Sequence, residues 1–385
     1  MKKILNSLLF KLIFAIILGI VIGIYANATV IGVLSTIKSV LGNVIFYMVP
    51  LIILGFIAPA IVGLQQNAGK ILRTSLILCY LSSIGAGFFS FLAGKAIIPY
   101  LNIASQTGEG KMLPEKIFEL NIAPIMPVMT ALVTAILIGL SVVWTKSERW
   151  AELLNEFNRM VLTMVEKVII KILPFYIAAA FSELAYEGVI LNEFPVFLKV
   201  ILLVIIGHYI WLAVLYTSAG IVSKTNPFEV IKHYGPAYMT AMGTMSSAAT
   251  LSVALESSRK AKTLDPKVRD FVIPLCANTH LCGSVLTEVF FVMAASKVLY
   301  GHLPATGDMV LFVLLLGIFA IGAPGVPGGT VMASLGLIIS VLNFDQTGTA
   351  LMLSIFALQD SFGTACNVLG DGAIALIVGK LNKKE

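Results

Sequence analysis

The sequence predicts an all-α polytopic membrane protein with eight transmembrane helices and two re-entrant helical hairpins. Hydrophobic residues make up 58% of the 385 residues and charged residues only 12%, whereas soluble domains carry roughly 25% charge. Several apolar runs reach about 20 residues, the length that spans a bilayer. Two further apolar segments are interrupted in the middle by small residues, glycine or proline, which predicts that they turn back within the membrane.

The eight predicted spans are separated by loops whose lysine and arginine content marks the cytoplasmic side. The spans cover residues 8–25, 40–64, 74–100, 122–144, 161–186, 194–222, 268–299 and 350–378. The first span resembles a signal peptide, but it is long and lacks a clear cleavage site, so we interpret it as a signal anchor. The loops at 187–193 and 343–348 have no basic residue and are predicted to be external. This topology places both termini in the cytoplasm, in a cell inner (plasma) membrane.

Residues 241–258 are predicted to form the first re-entrant hairpin. Lys224 and Lys232 precede it, and residues 259–269 contribute five further basic side chains, so both of its ends are expected at the cytoplasmic face. Its tip, residues 246–250, would hold non-helical backbone at membrane depth. Such backbone is tolerated only inside protein or along a water-filled cavity, which is typical of a binding site.

Residues 309–342 are predicted to form the second hairpin. Its centre, GAPGVPGG at residues 322–329, contains two prolines and four glycines, and a helix does not pass through such a sequence. Two interrupted hydrophobic segments, one entering the membrane from each side, indicate a transporter whose binding site lies near the bilayer midplane.

Four stretches of the chain carry motifs of a known family. TMSSAATLS (244–252) is similar to a serine-rich hairpin tip, GAPGVPGG to a glycine-proline tip, and NVLGD (367–371) to the NVTGD motif of a last helix. ANTHLCGS (277–284) occupies the place of an NMDGT motif but departs from it. On these motifs, the chain resembles the dicarboxylate/amino acid:cation symporters, the family of the glutamate and neutral amino acid transporters.

The resemblance implies an elevator-type transporter that assembles as a homotrimer and moves a small-molecule substrate across the lipid bilayer. A static scaffold would comprise residues 1–72, with spans 1 and 2, and residues 101–193, with a polar loop and spans 4 and 5. A moving transport domain would comprise residues 73–100, with span 3, and residues 194–385, with span 6, the first hairpin, span 7, the second hairpin and span 8.

Asp360 is the first candidate for the substrate site, because an intramembrane carboxylate is costly and is functional by default. The resemblance implies that it holds the α-amino group of an amino acid, for which a carboxylate is a natural partner. Asn367 follows about two helical turns later on the same face, and the resemblance implies that its amide binds the amino acid backbone. The hairpin tips would bind the α-carboxylate through N–H groups and hydroxyls. The other candidates for the substrate site are Ser246, Ser247, Val326, Gly328, Gly363, Thr364 and Ser284.

Gly363 stands where family members with acidic substrates carry an arginine, which binds the side-chain carboxylate in a bidentate manner. Some members place that arginine in the first hairpin, where this chain has Met245, and no other intramembrane arginine substitutes for it. Burying an unpaired carboxylate costs on the order of several kcal/mol. We therefore expect a neutral amino acid, with apolar space beside Gly363 for its side chain. The alternative is a transporter of dicarboxylates or acidic amino acids, which would need a cationic clamp.

The resemblance also implies sodium sites built from oxygen ligands, as suits a hard cation. One site would comprise Asn367, Asp371 and the carbonyl of Cys276. A second site would fall on His280 and Cys282, with Ser82 and Ser83 as the hydroxyls of span 3. A thiol is a poor sodium ligand and a protonated imidazole would repel the ion, so we expect this second site to be lost or changed.

His280 and Glu288 raise the alternative of proton coupling. They are eight residues apart on span 7, so they are expected roughly on one face of a helix. The resemblance puts Glu288 where proton-coupled eukaryotic relatives carry a glutamate. A buried glutamate can carry a proton, and histidine changes its charge near neutral pH. Coupling to Na+, to H+ or to both stays open, and no other cofactor is expected.

Other classes of function are disfavoured. The net charge of +6 is explained by basic cytoplasmic loops, so nucleic-acid binding is not expected. Cys282 and His280 are two residues apart and would not face each other on a helix, so we expect no hydrolase site and no enzyme activity. The four cysteines fall in apolar segments without metal or disulfide spacing, and we expect free buried thiols.

Overall fold

The computed structural model describes residues 8–66, 69–101, 111–120 and 122–382, and all regular secondary structure within these ranges is helical. The helices are α1 (Leu8–Tyr25), α2 (Ala28–Gln66), α3 (Lys70–Ile97), α4 (Val128–Thr145), α5 (Glu148–Met164), α6 (Ile170–Tyr186), α7 (Val189–Ser223), α8 (Phe228–Ile231), α9 (Gly235–Thr244), α10 (Ser247–Arg259), α11 (Pro266–Thr279), α12 (Cys282–Tyr300), α13 (Thr306–Gly322), α14 (Gly329–Ser340) and α15 (Gln346–Asn382). A 3-10 turn, Ile98–Tyr100, follows α3, and a π-helical turn, Val165–Ile169, joins α5 to α6. Residues 102–110 and 121 of the predicted loop 101–121 and the basic residues at 2–3 and 383–384 lie outside the described residues.

The polytopic membrane architecture is confirmed. In the described part of the chain, seven helical stretches are long and apolar enough to cross a membrane: Ala28–Gly63, Lys70–Tyr100, Val128–Thr145, Glu148–Tyr186, Val196–Ser223, Pro266–Tyr300 and Gln346–Asn382. The predicted span 1 is α1, whose 18 residues reach about 27 Å. The count of eight crossings stays a prediction.

Several predicted boundaries of the spans were wrong, because the ends of an apolar run do not mark where a helix begins or ends. The second span begins at Ala28, twelve residues before the predicted start, and passes Pro50 and Pro59 as one helix. The fifth span is the second half of a longer element, since the amphipathic α5 continues through the π turn into α6. The seventh span is not one helix, because it breaks between Thr279 and Cys282.

The helices pack in two groups. In the first, α1 packs on α6, and α2 packs on α4, α5 and α6. In the second, α15 packs on α7, α9, α11 and α12, and α3 packs on α12 and α13. The centre of the second group is the core of the molecule: 94% of the most apolar stretch of α11–α12 is buried, against 28% for α4 and for α7. Polar side chains on α12 and α15 are therefore held away from lipid.

Both predicted hairpins are pairs of helices joined by a short break. In the first, α9 and α10 meet at Met245, whose φ of 51° is left-handed, and at Ser246, whose hydroxyl caps α10 by accepting from Ala249 N. The predicted non-helical tip 246–250 was too long, because Ser246 caps the helix and residues 247–250 are already helical. In the second, residues 323–328 join α13 to α14. Gly328 has a φ of +71°, a conformation that favours glycine.

Candidate functional site

The two hairpin tips touch each other and the end of α11. The Ser246 hydroxyl donates to the carbonyl oxygen of Gly325 at 2.5 Å. A Cβ atom at Gly325 would lie 3.2 Å from the Ala277 carbonyl and from Asn278 Oδ1, and 3.3 Å from Ala248 N. The close approach of three backbone segments explains the glycine at this position. The fold therefore brings both interrupted segments and the broken seventh span to one point.

Asp360 lies at this meeting point, with 5% of its surface exposed. Its Oδ2 accepts from the backbone N–H of Gly328 at 2.7 Å, and its Oδ1 accepts from the Thr364 hydroxyl at 3.3 Å. Among the described residues it has no cationic partner. Three predicted substrate residues are thus brought together, but the Gly328 N–H that was assigned to the substrate carboxylate is used by Asp360.

The tips also present the N-termini of two helices. α10 begins at Ser247 and α14 begins at Gly329, and the first N–H groups of a helix have no acceptor within it. Together with the helix dipole, these groups favour an anion. Ser246, Ser247 and Val326, which were predicted to bind a carboxylate, all lie at or beside these two N-termini.

A cavity of about 460 Å³ reaches the tips from between the two helix groups. Hairpin residues Ala248, Gly325 and Val326 line one wall, and Asn155 and Asn158 of α5 line the opposite wall. None of its lining residues is a lysine or an arginine. The cavity supplies amides and apolar surface, and its described lining contains no cationic clamp.

Asn367 binds the start of α12. Its Oδ1 accepts from the N–H groups of Gly283 at 2.7 Å and Ser284 at 3.2 Å, and its Nδ2 donates to the Ser284 hydroxyl at 2.9 Å. The break in the seventh span frees these two N–H groups, and the asparagine satisfies them. The predicted contacts of Asn367 with substrate and sodium stay predictions, and its amide is already occupied by α12.

His280 lies in the break between α11 and α12 and is completely buried. Its Nδ1 is 3.0 Å from Asp371 Oδ1, and its Nε2 is 2.9 Å from the Ser82 hydroxyl. Its backbone N–H donates to the carbonyl of Cys276 at 2.9 Å, while the buried hydroxyl of Ser83 has no hydrogen-bond partner in the described part of the chain. The imidazole therefore lies between the carboxylate and the hydroxyl that were assigned to cation binding.

The four cysteines lie around this histidine. Their spacing in the sequence does not indicate this arrangement. The sulfur atoms of Cys79 and Cys276 are 3.5 Å apart, and the Cys282 thiol contacts both Cys366 and His280. All four are free and buried, as predicted. They come from four different helices or helix ends, so only the tertiary packing unites them.

Glu288 and His280 do not share a helix face. The break at His280 ends one helix, and Glu288 lies in the next one, so the prediction that assumed a continuous seventh span was wrong. Glu288 is completely buried and accepts a short hydrogen bond from the Ser334 hydroxyl of α14. Its other oxygen, Oε2, has no partner among the described residues. Glu288 thus contacts the second hairpin, while His280 contacts α3 and α15.

Gly363 packs against α12. A Cβ atom there would be 3.5 Å from Ser284 Cα and from Thr287 Oγ1, which is ordinary van der Waals contact. Helix α12 therefore already packs against the position of a Cβ atom at Gly363, and the predicted apolar space for a substrate side chain is not found there. Thr287 is part of a polar contact that the sequence analysis missed, since His208 Nε2 lies 2.9 Å from its hydroxyl and 3.0 Å from the Gly283 carbonyl.

A buried ion pair was also missed. Lys38 of α2 donates to Glu183 of α6, and both side chains are almost completely buried. Lys38 donates as well to the Thr347 hydroxyl at the start of α15, at 3.2 Å. The sequence offers only a weak indication of this pair, because Lys38 lies just before the predicted second span and Glu183 is one of four charged residues in the predicted fifth span.

Comparisons with known proteins agree with this architecture. The Sodium:dicarboxylate symporter family matches residues 8–381. Excitatory amino acid transporter 2 of Mus musculus is 28% identical over 258 residues, which is 64% of this chain and 44% of that protein. Excitatory amino acid transporter 3 of Mus musculus is 30% identical over 165 residues, 43% of this chain and 31% of that protein. A putative sodium-dependent excitatory amino acid transporter of Caenorhabditis elegans is 28% identical over 164 residues, 42% of this chain and 32% of that protein.

The chain spans less than half of the length of these relatives. Their names and the family description favour the alternative prediction, dicarboxylates or acidic amino acids, over the prediction of a neutral amino acid. Of the two coupling ions left open, they favour sodium. Because the family match covers nearly the whole described chain, the chain belongs to the sodium:dicarboxylate symporter family.

Proposed function

We propose that this protein is a secondary active symporter that uses a sodium gradient to carry an acidic amino acid or a small dicarboxylate across the membrane. The observation that carries the proposal is the hydrogen bond of the buried Asp360 carboxylate with Gly328, which caps α14 at the tip that also contacts Ser246, the cap of α10. The family match and the named relatives support the substrate class and the ion.

The charges at the tips suit an amino acid with two carboxylates. A substrate ammonium would compensate Asp360, which is buried with two hydrogen bonds and has no cationic partner within the described ranges of the chain. Because the carboxylate is already buried, an ammonium beside it removes the cost of an uncompensated buried charge. Each substrate carboxylate would face one of the two helix N-termini, so an anionic side chain could be bound by backbone N–H groups in place of an arginine.

A neutral amino acid is the second candidate, favoured by Gly363 and by the lining of the cavity. None of the described residues that line the 460 Å³ cavity is a lysine or an arginine, and Gly363 offers no side chain to a second carboxylate. This candidate keeps the ammonium contact with Asp360 and needs only one of the two N-termini.

The ions would bind around the last helix. Asp371, with Asn367 and the carbonyl of Cys276, forms our proposed sodium site, and His280 would have to turn away from Asp371 for the ion to reach that carboxylate. Glu288 is the proposed proton carrier, because its Oε2 is buried without a partner in the described chain. Sodium is the coupling ion that the family match favours.

The two helix groups support a division into scaffold and transport domain, with α1, α2, α4, α5 and α6 static and the other helices moving in an elevator-type cycle. Eight crossings, two re-entrant hairpins, cytoplasmic termini and a homotrimer belong to this proposal. The start of α15 contacts Lys38 and Asn43, which lie ten and fifteen residues after the start of α2, or about 15 and 22 Å along it. In the proposed topology the starts of α2 and α15 are both at the external side. The start of α15 would then lie about 15–22 Å below the external end of α2, which corresponds to a transport domain displaced towards the cytoplasm.

A substrate panel in proteoliposomes tests the proposal. Labelled L-aspartate, L-glutamate, succinate and a mixture of neutral L-amino acids would each be offered under an inward sodium gradient and under an inward proton gradient. We expect sodium-driven uptake of aspartate or glutamate. Sodium-driven uptake of neutral amino acids alone would support the second candidate, and uptake of none of the compounds under either gradient would overturn the proposal.

A further inference from the structure

A groove opens on the outside of the molecule between the first turns of α1 and α6. The two helices run in the same direction and touch at Gly19 and Gly23, where a Cβ atom would collide with the carbonyl oxygens of Ala178 and Ser182. Towards their starts the helices separate and leave a groove of about 550 Å³. Lys11, Phe14 and Leu18 of α1 and Lys171, Pro174 and Phe175 of α6 are among its lining residues.

The groove combines an apolar floor with two lysines. Phe14, Leu18 and Phe175 are 58%, 41% and 67% exposed, so an acyl chain can contact them. Lys11 and Lys171 are exposed at the same end of the groove and form no ion pair with another described residue. Together they offer a double positive charge above a hydrocarbon surface.

We propose that this groove binds one anionic phospholipid, with its phosphate between Lys11 and Lys171 and an acyl chain along Phe14, Leu18 and Phe175. A free phosphate would use the lysines but not the apolar floor, and a neutral lipid would use the floor but not the lysines. The starts of α1 and α6 lie at the end that the loop charges assign to the cytoplasm, where the leaflet is rich in anionic lipids that attract lysine near the membrane surface.

The lipid would lie close to Asp360. Leu12 and Leu173 are neighbours in sequence of the groove residues Lys11 and Pro174, and both are buried. They line a small cavity that also contains Asp360 and Met245. Occupation of the groove is therefore expected to alter the rate of uptake. This functional effect rests on the proposed function, whereas binding of the lipid does not.

Lipid binding is measured first on the full chain in detergent, by native mass spectrometry with phosphatidylglycerol or phosphatidylcholine added. The test variant is the double substitution Lys11→Gln/Lys171→Gln. The matched control is Lys262→Gln/Lys267→Gln, which removes the same charge from exposed cytoplasmic positions away from the groove. Size-exclusion chromatography checks that each variant is folded and has the oligomeric state of the wild type.

We expect phosphatidylglycerol to bind the wild type and the control equally, and the test variant at least tenfold more weakly. Phosphatidylcholine should bind all three proteins weakly. Equal phosphatidylglycerol binding by the test variant, or displacement of the lipid by millimolar inorganic phosphate, would overturn the proposal. So would crosslinking of Phe175→Cys between two copies of the chain, because a second copy would then cover the groove.

Uptake measurements separate the binding of the lipid from its effect on transport. The wild type in vesicles with phosphatidylglycerol should transport faster than in vesicles of phosphatidylcholine alone, and the test variant should lose this difference. Normal lipid binding with no uptake of any substrate in either vesicle would contradict the proposed function and leave the lipid site standing. Lipid-dependent uptake that persists in the test variant would contradict the lipid site and leave the proposed function standing.

Discussion

The buried pair of Lys38 and Glu183 makes the fold sensitive to the loss of one charge. In the variant Glu183→Gln, the Lys38 ammonium would keep the Thr347 hydroxyl at 3.2 Å but would lose its anion. The two side chains are 6% and 3% exposed, so water compensates little. Removing one partner of a buried pair costs about 3–5 kcal/mol, which corresponds to a change of roughly 100- to 4,000-fold in the equilibrium between folded and unfolded protein, at about 1.4 kcal/mol per factor of ten.

The assay is equilibrium unfolding in mixed micelles with increasing dodecyl sulfate. The double variant Lys38→Met/Glu183→Leu removes both charges and should unfold within about 1 kcal/mol of the wild type or be more stable. Glu229→Gln breaks the exposed pair with Lys232 and should leave the transition unchanged. If Glu183→Gln unfolds at the same detergent fraction as the wild type, the reasoning from burial is refuted.

Three further predictions concern the transport site. Gly325→Ala should reduce uptake with normal expression, because its Cβ would lie 3.2–3.3 Å from Ala277, Asn278 and Ala248 and the tip contact would have to shift by a few tenths of an ångström. Gly307→Ala, which has open space, should transport normally, and equal uptake by both variants would contradict the tip contact. Glu288→Gln should remove any stimulation by a proton gradient and keep the sodium-driven component, and an unchanged proton response would exclude Glu288 as the carrier. Asp371→Asn should raise the sodium concentration for half-maximal uptake at least tenfold, since it replaces a charged oxygen ligand by a neutral one, and an unchanged sodium curve would place the ion elsewhere.

The helix breaks at residues 245–246 and 323–328 could be predicted because their signals are local. Two prolines and four glycines stop a helix wherever they occur, and the basic residues on both sides of α9 and α10 indicate a segment that returns to the same face. The charge pattern could not give the extent of the first tip, because Ser246 caps α10 and the helix begins at once.

The break at His280 could not be predicted, because it depends on partners that are distant in sequence. Residues 268–299 read as one apolar span, and only the contacts of His280 with Ser82 and Asp371, and of Asn367 with Gly283, explain where the helix stops. The same limit applies to the cysteine cluster, whose members come together only when α3, α11, α12 and α15 pack.

Substrate charge is the point at which local motifs and whole-chain similarity disagree. Gly363 predicted a neutral substrate, because an arginine is absent. The family and the relatives favour an acidic one, and the two helix N-termini at the tips offer a physical route to it. The absence of an arginine at one position is weak evidence against an acidic substrate, because backbone N–H groups can bind the same carboxylate.

The most direct test of the account is uptake of labelled L-aspartate into proteoliposomes under an inward sodium gradient, with the wild type and Asp360→Asn compared at equal reconstitution. We predict that the wild type accumulates aspartate above equilibrium, that collapsing the sodium gradient abolishes accumulation, and that the variant does not accumulate it. Accumulation that is independent of sodium, or that is unchanged in the Asp360 variant, would contradict the proposed symport.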